Sequence, residues 1–185
     1  AAILDDDRDG IPNLCDQCLL NQSRVIIQWD QMYPKQGMHG PYTFQLILYE
    51  DGSMLYMYHL VEPFDATNTV GYQGPQGNPA LTLGQNSQFI LDQRQVFFEM
   101  HDEDHIAGEH HLEVDYSRNF KWLDIKDIGQ YVLVFDDAYT SLRLPFDFTF
   151  FGQLYRDVAI SDNGILALNP PYVGADNTYF PQAHL

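Results

Sequence analysis

The sequence predicts an all-β protein: an antiparallel β-sandwich or barrel-like module with little helix, preceded by an acidic loop. Three observations lead there. Aromatic residues are 14% of the chain, with twelve Phe and twelve Tyr, side chains that suit a pleated, half-buried surface. Short apolar runs and alternating stretches recur along the chain, with Gly, Pro, Asn or Asp between them roughly every ten residues. No window carries the three-to-four-residue apolar period of an amphipathic helix.

The elements follow in order. Residues 24–29, "RVIIQW", read as a buried strand, and "DQMYPKQGMHGP" after them as a turn-rich connection. "TFQLILYEDGSMLYMYHL" (43–60) is the clearest element. Two apolar runs flank Asp51-Gly52, the pair favoured in a type I′ hairpin turn because both central residues need positive φ. Phe44, Leu46 and Leu48 share one face of the first strand; Met54, Tyr56 and Tyr58 share one face of the second. Residues 70–88 are rich in Gly, Pro and Gln and read as strand ends and loop. "FILDQRQVFFEM" (89–100) and "HLEVDYS" (111–117) read as two strands around a His-rich loop, and "YVLVF" (131–135) as another strand. "LPFDFTFFG" (144–152) alternates Leu144, Phe146, Phe148 and Phe150 with other residues, as a half-buried strand does. "LYRDVAISDNGILAL" (154–168) is a second hairpin, turning at Asp162-Asn163-Gly164. The tail 169–185 has three prolines and no period.

Composition bounds the function. Hydrophobic residues are 45% and charged residues 19% of 185, enough to bury a core in one full-sized domain. Nine Lys and Arg against 26 acids give a net charge of −17. Such a surface repels nucleic acid and anionic membrane, and suits a binder of divalent cations. No apolar run is long enough for a transmembrane helix. No secretory leader opens the segment; for a secreted protein it is expected to be removed or to lie outside this segment. Asn21-Gln22-Ser23 is a lone glycosylation sequon, read as a chance match.

The front of the chain, "DDDRDGIPNLCDQC" (5–18), has calcium-loop spacing. With Asp5 at position 1, Asp7 falls at 3, Asp9 at 5, Gly10 at 6, Ile11 at 7, Asn13 at 9 and Asp16 at 12. Calcium takes six to eight hard oxygens. Asp5, Asp7, Asp9 and Asp16 offer carboxylates, Ile11 its carbonyl and Asn13 a direct or water-bridged oxygen, while Gly10 allows the sharp turn. Asp16 is one methylene shorter than the usual closing Glu, so a weak, extracellular-type affinity of about 10⁻⁴–10⁻³ M is expected. No helical pattern flanks the loop, which sets it apart from a helix–loop–helix sensor. The competing readings are a solvated acidic turn and, for Cys15 and Cys18, a redox pair, which would need a βαβ setting not visible here.

The same stretch resembles the thrombospondin type 3 repeat, Asp-x-Asp-x-Asp-Gly-Ile-Pro-Asp-x-Cys-Asp-x-Cys. The departures are Arg8, where Gly is common, and Asn13, where Asp is common. The resemblance implies an extracellular calcium-binding spacer at 1–20, in front of a β-rich module at 21–185. It also implies oxidised cysteines, Cys15 pairing with Cys18.

Two further stretches resemble one extracellular β-module, of the kind in nidogen-like and plexin-domain-containing proteins. "SLRLPFDFTFFGQLYRDVAISDNGILAL" (141–168) is similar to its opening half; "RVIIQWDQMY…YTFQLILYEDGSMLYMYHL…VGYQG" (24–74) is similar to its closing half. In that family the module is a non-catalytic accessory or adhesive domain. The halves stand here in reversed order. The chain is then a circular permutant, a fragment of a tandem array, or a module completed by a neighbouring molecule.

"HDEDHIAGEHH" (101–111) carries His101, His105, His110 and His111 among carboxylates, a second metal candidate of the imidazole–carboxylate type that suits zinc. It lacks His-Glu-x-x-His on a helix, and a solvated loop is the simpler reading. No serine sits in a Gly-x-Ser-x-Gly elbow. Trp29, Tyr33, Tyr42 and Tyr72 read first as core or interface aromatics and second as a sugar-stacking platform.

The expected function is that of a non-catalytic extracellular or cell-surface structural and adhesive protein, with Ca²⁺ as its cofactor. Its expected partners are further copies of itself in a head-to-tail filament or neighbouring modules, and an extracellular protein or glycan ligand. The alternative is an accessory, carbohydrate- or protein-binding module of a secreted hydrolase; a metalloenzyme comes third.

Overall fold

The computed structural model describes residues 2–5, 23–33, 40–61, 68–75, 80–86, 91–98, 120–132, 134 and 138–168. Its elements are all strands, in the order β1 (Ala2–Asp5), β2 (Arg24–Met32), β3 (Tyr42–Tyr49), β4 (Met54–Val61), β5 (Thr69–Gln73), β6 (Ala80–Gln85), β7 (Arg94–Phe98), β8 (Gln130–Tyr131), β9 (Tyr139–Phe150), β10 (Gln153–Ser161) and β11 (Leu166–Ala167). Among the described residues no helix is long and apolar enough to cross a membrane. The expected all-β, antiparallel class holds.

A six-stranded sheet runs β7-β4-β3-β2-β1-β8, a three-stranded sheet runs β11-β10-β9, and β5 pairs with β6. All the pairings are antiparallel. Within the six-stranded sheet, β2, β3, β4 and β7 place apolar side chains against a core on both faces. Cross-strand register places Ile27, Leu46, Tyr56 and Val96 in one row, with Val25, Leu48, Met54 and Phe98 beside them. These pack with Leu144, Phe146, Phe148 and Phe150 of β9 and Val158 and Ile160 of β10 in one core. The three-stranded sheet therefore lies face to face on the larger one, a sandwich in which inward residues of both sheets interdigitate. The β5–β6 hairpin closes the side: Tyr72, Leu81 and Leu83 pack against that core, and the Tyr56 hydroxyl donates to the Gly71 carbonyl at 3.1 Å.

Period two explains which side chains point where. On β9 Leu144, Phe146, Phe148 and Phe150 are buried while Arg143, Pro145 and Asp147 are exposed. The opposite face of the large sheet buries Ile26, Ile47, Tyr49, Leu55 and Met57 with Ile125, and Phe97, Phe120, Trp122 and Leu123 pack against them.

Four local readings change. Residues 2–5, assigned to the acidic loop, form β1; a four-residue strand is too short to show a period. Residues 70–88, read as strand ends and loop, contain the paired strands β5 and β6, held by the packing of Tyr72, Leu81 and Leu83 despite Gly and Pro. "YVLVF" supplies only Tyr131 to a strand, because β8 has a two-residue partner register on β1, Ala2 opposite Tyr131 and Ile3 opposite Gln130. Within 89–100 the chain turns at Leu91–Gln93 before β7 begins; residues 111–117 lie outside the described residues.

The turn at Asp51-Gly52 is a hairpin turn of another kind. Glu50, Asp51 and Gly52 form a three-residue loop. The Gly52 N–H donates to the Tyr49 carbonyl at 3.0 Å, Tyr49 N–H donates to Ser53 O at 3.0 Å, and Gly52 alone of the three takes positive φ, 92°. The Asp162-Asn163-Gly164 loop repeats this closure: Ser161 N–H donates to Ile165 O at 3.0 Å and Gly164 has φ 77°. The two-residue turn with both φ positive occurs instead at Phe151-Gly152, 48° and 72°.

Candidate functional site

The acidic loop is anchored through its first position. Asp5, first of the candidate calcium ligands, is the last residue of β1 and pairs in register with Val25 near the start of β2. The two ends of the 5–25 segment are thus held side by side by the sheet. Asp7, Asp9, Ile11, Asn13 and Asp16, with Cys15 and Cys18, lie outside the described residues. So do His101, His105, His110 and His111. Among the described residues no group of three His, Cys, Asp or Glu is placed to hold a metal ion.

The described residues do show where residues 24–74 and 141–168 meet. Trp29 of β2 is 1% exposed, and its Nε1–H donates to the Ser161 carbonyl at 2.8 Å, across 132 residues of sequence. Its ring stacks on Phe44 of β3 at 5.0 Å and 15°; Phe44 in turn lies 6.3 Å from Tyr58 of β4. Gly164 fits against this column. A Cβ there would lie 2.8 Å from Phe44 Cζ. The Ser161-Asp162-Asn163-Gly164 turn therefore rests on the Trp29–Phe44 pair, and the glycine is needed twice, for its φ and for its lack of a side chain.

A second contact lies on the opposite face. Residues 120–129 pass over the outside of the six-stranded sheet and are fastened by two buried glutamines that face each other in register on β2 and β3. Gln28 Nε2 donates to Asp124 Oδ1 at 2.9 Å, and Gln28 Oε1 accepts from Ile125 N–H at 3.1 Å and from Gln45 Nε2 at 2.7 Å. Gln45 Nε2 also donates to the Leu123 carbonyl at 2.6 Å. Burial works to raise the Asp124 pKa, but the hydrogen bonds from Gln28 and from the Lys126 backbone and side chain outweigh it and hold the carboxyl below its usual range. His59 of β4 stacks on Trp122 at 4.7 Å. The sequence pattern did not reveal this clasp: a glutamine inside an apolar strand looks like an interruption until its partner opposite is known.

The aromatic quartet separates. Trp29 is a core residue. Tyr72 packs edge-on against Phe98 at 5.4 Å and Phe150 at 6.1 Å. Tyr33, 65% exposed, and half-buried Tyr42 remain on the surface. The sugar-stacking platform loses two of its four rings to the core.

The class this defines is an antiparallel β-sandwich with an acidic loop tied to one of its strands. Comparison with known protein families matches residues 117–184 to the family described as NIDO related, a nidogen-like domain. The match covers the clasp segment, β8 and the whole three-stranded sheet, less than half of the chain, and does not reach residues 24–74. No curated protein and no solved structure matches the chain.

Proposed function

We propose that the protein is a non-catalytic extracellular module that uses calcium for rigidity and associates with further copies of itself in a surface fibre or filament. The observation that carries the reading is the ligand spacing from Asp5 to Asp16, whose first position ends a strand of the main sheet. Nidogen-related domains are a non-enzymatic and typically extracellular family, which supports the location and the absence of chemistry. In this reading the ion draws Asp7, Asp9, Asn13 and Asp16 around Asp5, with Cys15 and Cys18 as a staple, and so stiffens the connection into β2.

A ligand bound by the folded state alone stabilises it by mass action. At calcium ten to thirty times above a dissociation constant of about 10⁻⁴ M, this amounts to roughly 1–2 kcal/mol. Removing calcium with EDTA should lower the melting temperature by about 2–8 °C for a domain of this size, and should reduce any assembly seen by light scattering. Identical melting curves and particle sizes in calcium and EDTA would overturn the reading. The double variant Asp7→Asn with Asp9→Asn should show the EDTA-like curve in both conditions.

A further inference from the structure

We infer that β1 is an exchangeable strand: Ala2–Asp5 of one copy completes the sheet of a second copy, in the slot between β2 and β8. The inference rests on the self-association proposed above and names the segment that performs it.

Three observations carry it. First, β1 is paired along both edges. Ala2, Ile3, Leu4 and Asp5 lie opposite Gln28, Ile27, Ile26 and Val25, and Ala2 and Ile3 lie opposite Tyr131 and Gln130. Removing it leaves a row of unpaired N–H and C=O groups on β2, whose residues 25–28 are at most 1% exposed. Such an edge is a template for another strand. Second, the sequence that fits the slot is the chain's own, so every bond made within one copy forms unchanged between two. Exchanging an identical element is for that reason a low-cost route to association. Third, residues 6–23 join β1 to β2, where antiparallel neighbours are ordinarily joined by two to five residues. A connector of that length reaches on the order of 60 Å when extended, enough to place β1 in an adjacent molecule. When each copy donates to the next and none donates back, the contact is heterologous and grows into a filament. The net charge of −17 opposes the approach of two copies, so exchange is expected in calcium and not in EDTA.

Disulfide trapping distinguishes the two arrangements. Ile3 and Ile27 are register partners. Two single variants, Ile3→Cys and Ile27→Cys, one carrying a size tag, are refolded together in calcium, oxidised, digested and analysed by mass spectrometry. In this mixture a peptide joining residue 3 to residue 27 forms only between molecules. Exchange predicts that peptide, and a ladder on a non-reducing gel for the double variant. Its absence from the mixture overturns the inference. The parent chain, with Cys15 and Cys18 alone, supplies the background. Should Ile27→Cys fail to fold, Leu4→Cys with Ile26→Cys reads the next register pair. Sedimentation of the parent chain in calcium keeps the two proposals apart. Assembly without the mixed peptide rejects strand exchange and leaves self-association standing, whereas absence of assembly rejects both.

Discussion

Gly164 and Phe44 show how one atom can govern the junction. In Gly164→Ala the new methyl meets the Phe44 ring at 2.8 Å, and the ring is held between Trp29 and Tyr58 and has little room to withdraw. The left-handed backbone adds strain. A loss of about 1–3 kcal/mol is expected by urea unfolding, whereas alanine at exposed Gly152, a surface turn, should disturb no core contact. The buried tyrosines set a pH limit. Burial, reinforced by Asp51 and partly countered by Arg24, pushes the Tyr49 hydroxyl up to about 12. Burial also raises Tyr56 and Tyr58 strongly, each helped by a neighbouring tyrosine. In the unfolded chain tyrosine ionises near pH ~10. The neutral rings therefore contribute stability that is fully present below pH ~10 and is lost as pH rises toward 12 and beyond. Ultraviolet titration should show these tyrosines ionising late and together, in step with loss of the β-sheet circular dichroism signal. Gradual ionisation with the sheet intact would contradict their burial.

Among the elements, the clasp over residues 120–129 is the most vulnerable. Gln28→Leu keeps a similar volume but removes the acceptor of Ile125 N–H and of one Gln45 hydrogen. A buried group left without its partner costs about 1–3 kcal/mol, so a total of roughly 2–4 kcal/mol is expected. Amide hydrogen exchange should quicken first in 123–129 and change little in β9 and β10. By contrast, the ion pair of Arg156 with Asp147 is half exposed and joins β10 to β9 at the surface; its loss in Asp147→Asn should leave the unfolding curve unmoved. What the sequence revealed follows the same division. Strands β2, β3, β4, β9 and β10 were legible because their alternation or apolar runs extend over many residues, and the Asp-Gly and Asn-Gly turns marked their ends. Strand β1, the β5–β6 hairpin and the clasp were not, because each owes its structure to a distant partner: β2 for β1, the aromatic core for Tyr72, and paired glutamines for Asp124. The turn at Phe151-Gly152 belongs with them. A Phe with φ 48° contradicts local preference, and its ring finds Phe150 at 4.4 Å and Tyr72 at 5.7 Å.

For the molecule as a whole, residues 24–74 and 141–168 share a single core within one chain. Val25, Ile27, Leu46 and Leu48 come from one, Phe146, Phe148, Val158 and Ile160 from the other. The candidate calcium ligands are distributed differently: their first member belongs to the sheet and the rest follow it in the connector to β2. Least legible at this level was the packing of residues 24–74 against 141–168, which depends on contacts between residues about a hundred or more positions apart.

The hydrogen bond from Trp29 to Ser161 has a kinetic consequence. It closes a span of 132 residues, and the Gln28–Ile125 bond closes one of 97. Chains dominated by such distant pairings fold slowly, in milliseconds to seconds, because the entropy of long loops is spent before the contacts that reward it exist. The β3–β4 hairpin can form early; the Trp29 indole reaches its final surroundings late. Stopped-flow refolding followed by tryptophan fluorescence, with Trp122→Phe isolating Trp29, should show a Trp29 phase slower than the gain of β-sheet signal. Coincident phases would contradict the late docking. In that interval the slot beside β2 is open to whichever copy of residues 2–5 arrives first, so raising the protein concentration during refolding, not afterwards, is the condition that should select the exchanged form.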